Sequence, residues 1–444
     1  MAELMAGRGD WFDAERGVLD RRIFSDPDIY AQELERIFAR AWNFVCHESQ
    51  VAEPGAFFMS WIGEDEVIVV RDRDRQIQVL LNSCPHRGNT VCRAEQGKAA
   101  SFLCSYHGWN FDLDGSLVGM PGEDAFYRND IDKDAWGLGR AAQVAVYRGF
   151  VFATMDPTAP PLEDYLGWVG RLGIDLIASQ GDMVALDGVM KNRLKCNWKI
   201  AVDNLYDWYH VKVSHGTAMR VGFLSEASMA PNDQMVILGE YGHGIGGPGL
   251  SEQQQAEFEE RMRTGEGAPQ WYDIQAARRL DPAVREQLGP VGTRALGHPN
   301  IFPNLWVALT RQVCLRIPRG PLETELWWFT FLPKDATEQE RRTTVFMANH
   351  VFGPAGLLEQ DDGENWSHST RGATGAVTRR RPINLGMGRG HDAVTLDPSG
   401  QSCIETVVNE HGQRWTYQSW QEWMRSESWA ALEADHSQPP EGTV

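Results

Sequence analysis

At 444 residues the chain is too long for one simple core and long enough for two or three compact units. Its 42% hydrophobic and 23% charged content is that of an ordinary globular protein, and a net charge of −19 argues against nucleic acid or an anionic membrane surface as partner. No apolar run reaches the roughly 18 residues of a bilayer span, and Met1–Asp10 lacks the shape of a secretory signal, so a cytoplasmic protein is expected.

The first predicted element is a helix over Leu19–Trp42. Tyr30, Leu34, Ile37, Phe38 and Ala41 recur at helical spacing, and Asp26-Pro27-Asp28 supplies a start signal. From Phe57 to Asp156 the pattern changes to short alternating strands. Val67–Val70 and Gln76–Leu80 flank the polar turn Asp72–Arg75, and Trp109–Asp112 leads into the tight-hairpin signal Asp114-Gly115. Two ligand-bearing runs lie among these strands: Cys84-Pro85-His86, then 17 residues, then Cys104-Ser105-Tyr106-His107. Two thiolates and two imidazoles in this arrangement suit a Rieske [2Fe–2S] cluster, where two Cys bind one iron and two His bind the other. A structural zinc site is the alternative, although zinc pairs usually read C-x2–4-C with H-x3–5-H. The flanks His86-Arg87-Gly88 and His107-Gly108-Trp109 favour the cluster. The other cysteines, 46, 92, 196, 314 and 403, read as small buried core residues, because an odd and scattered set is no disulfide framework.

From Glu163 onward helices and strands mix. The run Asn197–His215 carries Asp207 and His210, three apart on one helical face, and His215 five residues further on. Five residues of regular helix would splay the two imidazoles by about 140°. To meet one metal, the helix must end, loosen or bulge before His215. Two imidazoles and a carboxylate make the facial triad of non-haem Fe(II) oxygenases. The best carboxylate source is the run Glu359–Trp366, where Asp361 and Asp362 both qualify. Gly244–Gly249 fits G-x-G-x-x-G, but it lacks a β-α-β surround and contains Pro248; a mobile glycine loop over Gly242–Gly249 is expected, and another over Gly386–Gly390. Asn304–Val313 and Glu323–Pro333 read as paired strands, and Pro354–Arg371 as a long helix entered through Gly353-Pro354.

The motifs C-P-H-R-G, C-S-Y-H-G-W, N-W-K-x4-N-x2-D-x2-H-x4-H and E-Q-D-D-G-E-N-W make the chain resemble the large (α) subunit of Rieske non-haem iron aromatic-ring-hydroxylating dioxygenases, the family of naphthalene and biphenyl dioxygenases. The likeness runs over nearly the whole chain. It implies an α+β protein in which a small all-β Rieske domain, residues 40–157, is inserted in a catalytic domain formed by residues 1–39 and 158–444. That domain would carry an antiparallel sheet with flanking helices of the helix-grip type. Cys84, His86, Cys104 and His107 would bind the cluster. His210, His215 and Asp362 would bind the mononuclear Fe(II), with Asp361 as the other candidate. Asp207 would link His107 of one subunit to His210 of the next, and Asn204 would lie close to the iron.

The implied reaction inserts both atoms of O2 into an arene. No flavin or nicotinamide motif is seen, so electrons would come through a ferredoxin, a reductase, or both. The assembly would be α3, or α3β3 with a small β subunit. Arg87, Arg93 and Lys98 could dock an acidic donor, and Arg379–Arg381 a partner subunit; a solvated face explains either set equally well. Expected pocket residues are Leu205, Trp208, Val211, His298, Arg316, Phe352, Leu358 and Trp366, each of which could instead be plain core. The likeness leans to bicyclic or polycyclic arenes. Arg311 and Arg316 keep open an aryl or heteroaryl acid such as indoleacetate or a benzoate-type acid. A Rieske monooxygenase or demethylase would use the same two metal sites, and a pure electron carrier would need only the first.

Overall fold

Alternating apolar residues from Phe57 onward build the smaller of two units, Ile37–Leu162. The computed structural model describes residues 10–223, 234–264, 279–308, 310–397 and 400–444; the N-terminal run read against a secretory signal lies outside them apart from Asp10. In the smaller unit, β1 (Asn43–His47), β2 (Ala56–Ile62), β3 (Asp65–Arg71) and β4 (Ile77–Leu81) are followed by short strands β5 (Gln96–Lys98), β6 (Phe102–Leu103), β7 (Asn110–Phe111) and β8 (Leu117–Gly119). The unit closes with β9 (Gln143–Tyr147) and β10 (Phe150–Thr154). Three antiparallel sheets result, ordered β4-β3-β2-β5, β8-β7-β6 and β9-β10-β1. The expected turn at Asp72–Arg75 joins β3 to β4, with Asp72 Oδ1 accepting the Gln76 N–H at 2.8 Å. One core joins Ile68, Val70 and Leu80 to Phe102, Trp109 and Phe111, and it includes Cys84 and Cys104. The two ligand runs are therefore rooted in packed core at their cysteines.

The larger unit takes the N-terminal residues to Arg36 together with Glu163–Val444. The single helix expected over Leu19–Trp42 is instead three pieces: a 3-10 turn Arg21–Phe24, helix α1 (Pro27–Glu33) and a π turn Leu34–Phe38. Asp26 does cap α1, accepting the Asp28 N–H, and Pro27 occupies the first turn. The interruption at Ser25 arises because Asp26 must leave helical geometry to act as cap. Glu33 at the end of α1 is fully buried. Its carboxylate takes Lys199 Nζ at 2.5 Å and the indole N–H groups of Trp198 and Trp420 at 2.8 and 2.9 Å. A buried ion pair needs such satisfied geometry to persist.

Helix α2 (Leu162–Ala178) leads into a ten-stranded sheet. Its strands are β11 (Met183–Ala185), β12 (Met190–Leu194), β13 (Gln234–Leu238), β14 (Gly244–Pro248), β15 (His298–Ile301), β16 (Leu305–Ala308), β17 (Gln312–Pro318), β18 (Thr324–Pro333), β19 (Val394–Leu396) and β20 (Ser402–Thr406). The order is β11-β18-β17-β16-β15-β14-β13-β20-β19, with β12 also on β18, and every pairing is antiparallel. Two expectations are corrected here. Asn304–Val313 is a hairpin rather than one strand, since β16 ends at Ala308 and β17 begins at Gln312, with Arg311 at φ +56 between them. The glycine run 244–248 is a buried central strand rather than a mobile loop.

Three helical segments carry the chemistry-bearing run: α3 (Trp198–Asp203), α4 (Val211–Ser214) and α5 (Gly216–Arg220). Helix α6 (Leu357–Thr374) starts three residues later than expected, with Gly356 as its N-cap, so Pro354 lies before the helix rather than in its first turn. The Trp-rich α7 (His411–Arg425) is buried along Trp415, Trp420 and Trp423. Among the described residues, no helix is long and apolar enough to cross a membrane.

Candidate metal centres

In the smaller unit the two ligand runs form loops of the same shape. Gly88 N–H donates to Cys84 O at 2.7 Å and Gly108 N–H to Cys104 O at 3.0 Å, and both glycines hold positive φ (+71 and +75). That backbone region favours glycine, which explains why each His is followed closely by Gly. The loops bring His86 and His107 to a ring separation of 4.6 Å, with His86 stacked on Trp109 at 5.1 Å. Burial pushes the Cys84 thiol up. At Cys104 burial is outweighed by the backbone N–H groups of Tyr106 and His107, the Asn89 amide and the Cys84 thiol, so its thiol lies below the ordinary range. The Asn89 amide donates to Cys104 Sγ at 3.6 Å. His86 Nδ1 is buried and meets no hydrogen-bond partner among the described residues. A buried imidazole nitrogen without a partner is costly, and coordination to iron satisfies it. The four side chains therefore fit a Rieske cluster.

The second centre lies in the larger unit. The helical run breaks after α3, makes a 3-10 turn at Trp208–His210, resumes as α4 and ends again at His215, whose φ/ψ of −94/27 leaves helical geometry. This is the loosening that the five-residue His spacing requires. His210 Nε2 and His215 Nε2 come within 3.2 Å, and each lies 3.4 Å from Asp362 Oδ1 on α6. Three ligands at about 2.1 Å from one ion are spaced in this way. Among the described residues this trio alone brings three possible ligand atoms within 4.8 Å of one another.

The outer nitrogens are also engaged. His210 Nδ1 faces Asp207 O at 2.7 Å and Asp207 Oδ1 at 2.8 Å, and His215 Nδ1 faces Asp361 Oδ2 at 3.4 Å. Asp362 thus sits on the inner side of both rings and Asp361 on the outer side of one. Carboxylates behind ligating imidazoles fix the tautomer that leaves Nε2 for the metal.

Electrostatics follow from burial and close charges. Burial pushes the Asp207 carboxyl up to about 6, against the pull of His210. Burial disfavours protonated His210, but Asp207 and Asp362 outweigh it and raise the ring to about 11. Behind them Asp203 is pushed up to about 8, by burial and then by Asp207, and it accepts the Tyr417 hydroxyl at 2.7 Å. Burial, then His210, holds His298 down at about 3, so this ring is neutral.

Of the expected pocket residues, Trp208, His298 and Phe352 come together. His298 meets Trp208, Trp306 and Phe352 at ring separations of 4.9, 5.5 and 6.0 Å. Phe352 stacks on Trp328 at 4.6 Å, and Trp306 meets both edge-on. Leu205, Val211 and Trp366 are buried, Leu358 is half-buried, and Asn204 closes α3 through its N–H to Ile200 O. The arginines are engaged elsewhere. Arg311 donates to Gln180 and faces Glu340 at 3.7 Å. Arg316 is held by Asn300 Oδ1 and the carbonyls of Pro303 and Leu305, although its Nε and Nη1 have no hydrogen-bond partner among the described residues. Sequence reasoning missed Trp306, Trp328, Asp203, Asn89 and Glu359; the one signal that could have found any of them is the place of Asn89 directly after the loop glycine Gly88.

Comparison with known proteins decides the family. Residues 41–146 match the model of the Rieske [2Fe-2S] domain and residues 179–426 that of the ring hydroxylating alpha subunit catalytic domain. This chain belongs to the ring-hydroxylating dioxygenase α subunits. It is 35% identical to the biphenyl dioxygenase subunit alpha of Metapseudomonas furukawaii, over 95% of this chain and 93% of that protein. It is also 35% identical to a benzene 1,2-dioxygenase subunit alpha of Pseudomonas putida, over 95% and 94%. A naphthalene 1,2-dioxygenase variant crystallised with phenanthrene superposes with a TM-score of 0.83, at 27% identity and 96% coverage of each chain. As a member of this family the chain is an oxidoreductase of the dioxygenase class that uses a Rieske [2Fe–2S] cluster and a mononuclear non-haem iron.

Proposed function

We propose that this chain is the terminal oxygenase that converts a neutral bicyclic or polycyclic arene into a cis-dihydrodiol. One observation carries the reading: His210, His215 and Asp362 converge on one point, while Trp208, two residues before His210, meets His298, which joins it to the Phe352–Trp328 wall. In this reading Cys84 and Cys104 hold one cluster iron and His86 and His107 the other, and His210, His215 and Asp362 hold the mononuclear iron. When bound, the two centres supply one-electron transfer and O2 activation. The chain's own residues do the rest. Asp207 orients His210 and holds its proton on Nδ1, and Asp361 does the same for His215, so that both Nε2 atoms are left for the metal. Trp208, neutral His298 and Phe352 exclude water and hold the flat face of a ring. The likeness to biphenyl and benzene dioxygenase subunits alpha supports an arene substrate and a multicomponent system. Ferredoxin, reductase or both would deliver electrons to an α3 or α3β3 oxygenase in the cytoplasm, and the exposed Arg87, Arg93 and Lys98 suit an acidic donor.

A second reading, oxidation of an aryl acid, is favoured by the unpartnered Nε and Nη1 of buried Arg316. A single-turnover assay separates the two. The chain, with a β subunit if one co-purifies, is reduced chemically, exposed to O2 and offered biphenyl, phenanthrene, indoleacetate and benzoate. A neutral arene gaining two oxygen atoms is the expected product. Turnover of the acids alone would overturn the arene reading and make Arg316→Ala the next variant.

A further inference from the structure

Helix α6 carries a second buried carboxyl that the proposed chemistry does not use. Glu359, one turn before Asp362, is fully buried. Asn192 Nδ2, on β12, reaches its Oε1 at 3.4 Å. The Gly353 N–H and the Trp328 indole also interact with the carboxyl, although Glu359 Oε2 and Trp328 Nε1 stop short of full hydrogen-bond geometry. Those two atoms are buried and have no other hydrogen-bond partner among the described residues. All three groups donate, so the role of the Glu359 side chain here is that of an acceptor.

Each partner belongs to the aromatic wall or its support. Trp328 is stacked under Phe352 with 8° between the rings, and Gly353 follows Phe352 directly. Met190 pairs across β12 and β18 with Trp328, and the same Met190 packs against Gly353. Glu359 therefore touches the strand, the ring and the turn that fix Phe352, from the helix that also carries Asp362.

We propose that Glu359 is a positioning residue for substrate orientation: it sets the Phe352–Trp328 wall relative to Asp362 and so decides which ring edge meets the metal. This rests on the arene reading above. An error of about 1 Å in such a wall is enough to misplace a reacting carbon.

The test uses the holoenzyme with phenanthrene, whose ring edges are inequivalent. Wild type, Glu359→Gln, Glu359→Ala, Phe352→Val and the Glu359→Ala/Phe352→Val double variant are compared. Readouts are iron content, phenanthrene affinity of the resting enzyme by fluorescence, and the ratio of dihydrodiol isomers. Glu359→Ala is expected to change the isomer ratio by about threefold or more, as loss of one hydrogen bond can. Glu359→Gln, which keeps the side chain's volume and one acceptor oxygen, is expected to change the ratio less than Glu359→Ala. The double variant should show no added change over Phe352→Val, because the two act through one wall. An unchanged ratio in Glu359→Ala at full iron content would overturn the proposal, as would additive effects in the double variant. Should Glu359→Ala not fold, Asn192→Ala removes the same carboxyl's strand contact, and an unchanged ratio there overturns it too. Failure of the wild type to oxidise phenanthrene and biphenyl alike would instead reject the arene reading.

Discussion

Asp361 and Asp362 are neighbours of identical chemistry, and one step along a helix separates them by about 100°. That rotation puts Asp362 Oδ1 between the two Nε2 atoms and Asp361 Oδ2 behind His215 Nδ1. Their variants should differ in kind. Asp362→Ala should lose the mononuclear iron while keeping the absorbance of the cluster. Asp361→Ala should keep the iron but bind it about 10–100-fold more weakly, the usual effect of removing a carboxylate behind a ligating imidazole. Iron counts per chain and a chelator titration measure both, and equal losses would place both carboxylates on the metal. Asp203 gives a pH-dependent counterpart. Its carboxyl is raised from 3.8 to about 8, so the folded chain holds a proton that the unfolded chain releases. Its contribution to stability is then full below pH 3.8 and is lost as pH rises to about 8. Asp203→Asn removes that dependence. The variant's melting temperature should pull ahead of wild type by a few degrees as pH rises toward 8; equal curves for the two would mean that Asp203 is charged in the folded chain.

Element boundaries were less legible than the ligands, for a physical reason. Ligand motifs are local: Cys84-Pro85-His86 and the Asp207–His215 spacing state their chemistry within a few residues. The glycine strand β14 is not local. Its composition says loop, but a Cβ at Gly246 would lie 2.4 Å from the Tyr206 ring and one at Gly247 2.4 Å from Trp208 Nε1. Trp208 Nε1 also donates to Gly246 O at 3.1 Å. Glycine is present because the segment bearing Tyr206 and Trp208 lies directly on this strand, a contact between distant parts of the chain that no short window reveals. The hairpin inside Asn304–Val313 was hidden because Thr310-Arg311 stands between its strands where a turn signal would be Gly, Asn or Pro. The surroundings of Arg316 are equally non-local: Asn300, Pro303 and Leu305 hold its Nη2 from neighbouring strands. Gly246→Ala should therefore destabilise the chain by ~1–3 kcal/mol through overpacking. It should also lower the iron content, because Tyr206 precedes Asp207 directly. Denaturant midpoints with iron counts test this, and a neutral result would show that Tyr206 can move away without disturbing His210.

At the scale of the whole molecule, two metal centres in separate folding units raise the question of which pairs work together. In the proposed ring of α subunits, the cluster of one chain serves the iron of its neighbour, with Asp207 between His107 of one and His210 of the next. Two inactive variants decide it. Asp362→Ala keeps the cluster and loses the iron, and Cys104→Ala loses the cluster and keeps the iron. Each alone should be inactive in steady-state turnover with reductase. Co-expressed, they form mixed rings, and some of these place an intact cluster beside an intact iron on the adjacent chain. Activity should return to a sizeable fraction of wild type if electrons cross between chains. It should stay at background if both centres must lie in one chain, because no mixed ring contains a doubly intact subunit. Adding Asp207→Ala to the Asp362→Ala partner should leave the rescue intact, since that chain's Asp207 faces an iron site already lost. Placed in the Cys104→Ala partner, whose iron is the working one, the same substitution should abolish it. This asymmetry locates the carboxylate beside the electron-accepting iron, which a general loss of stability would not do.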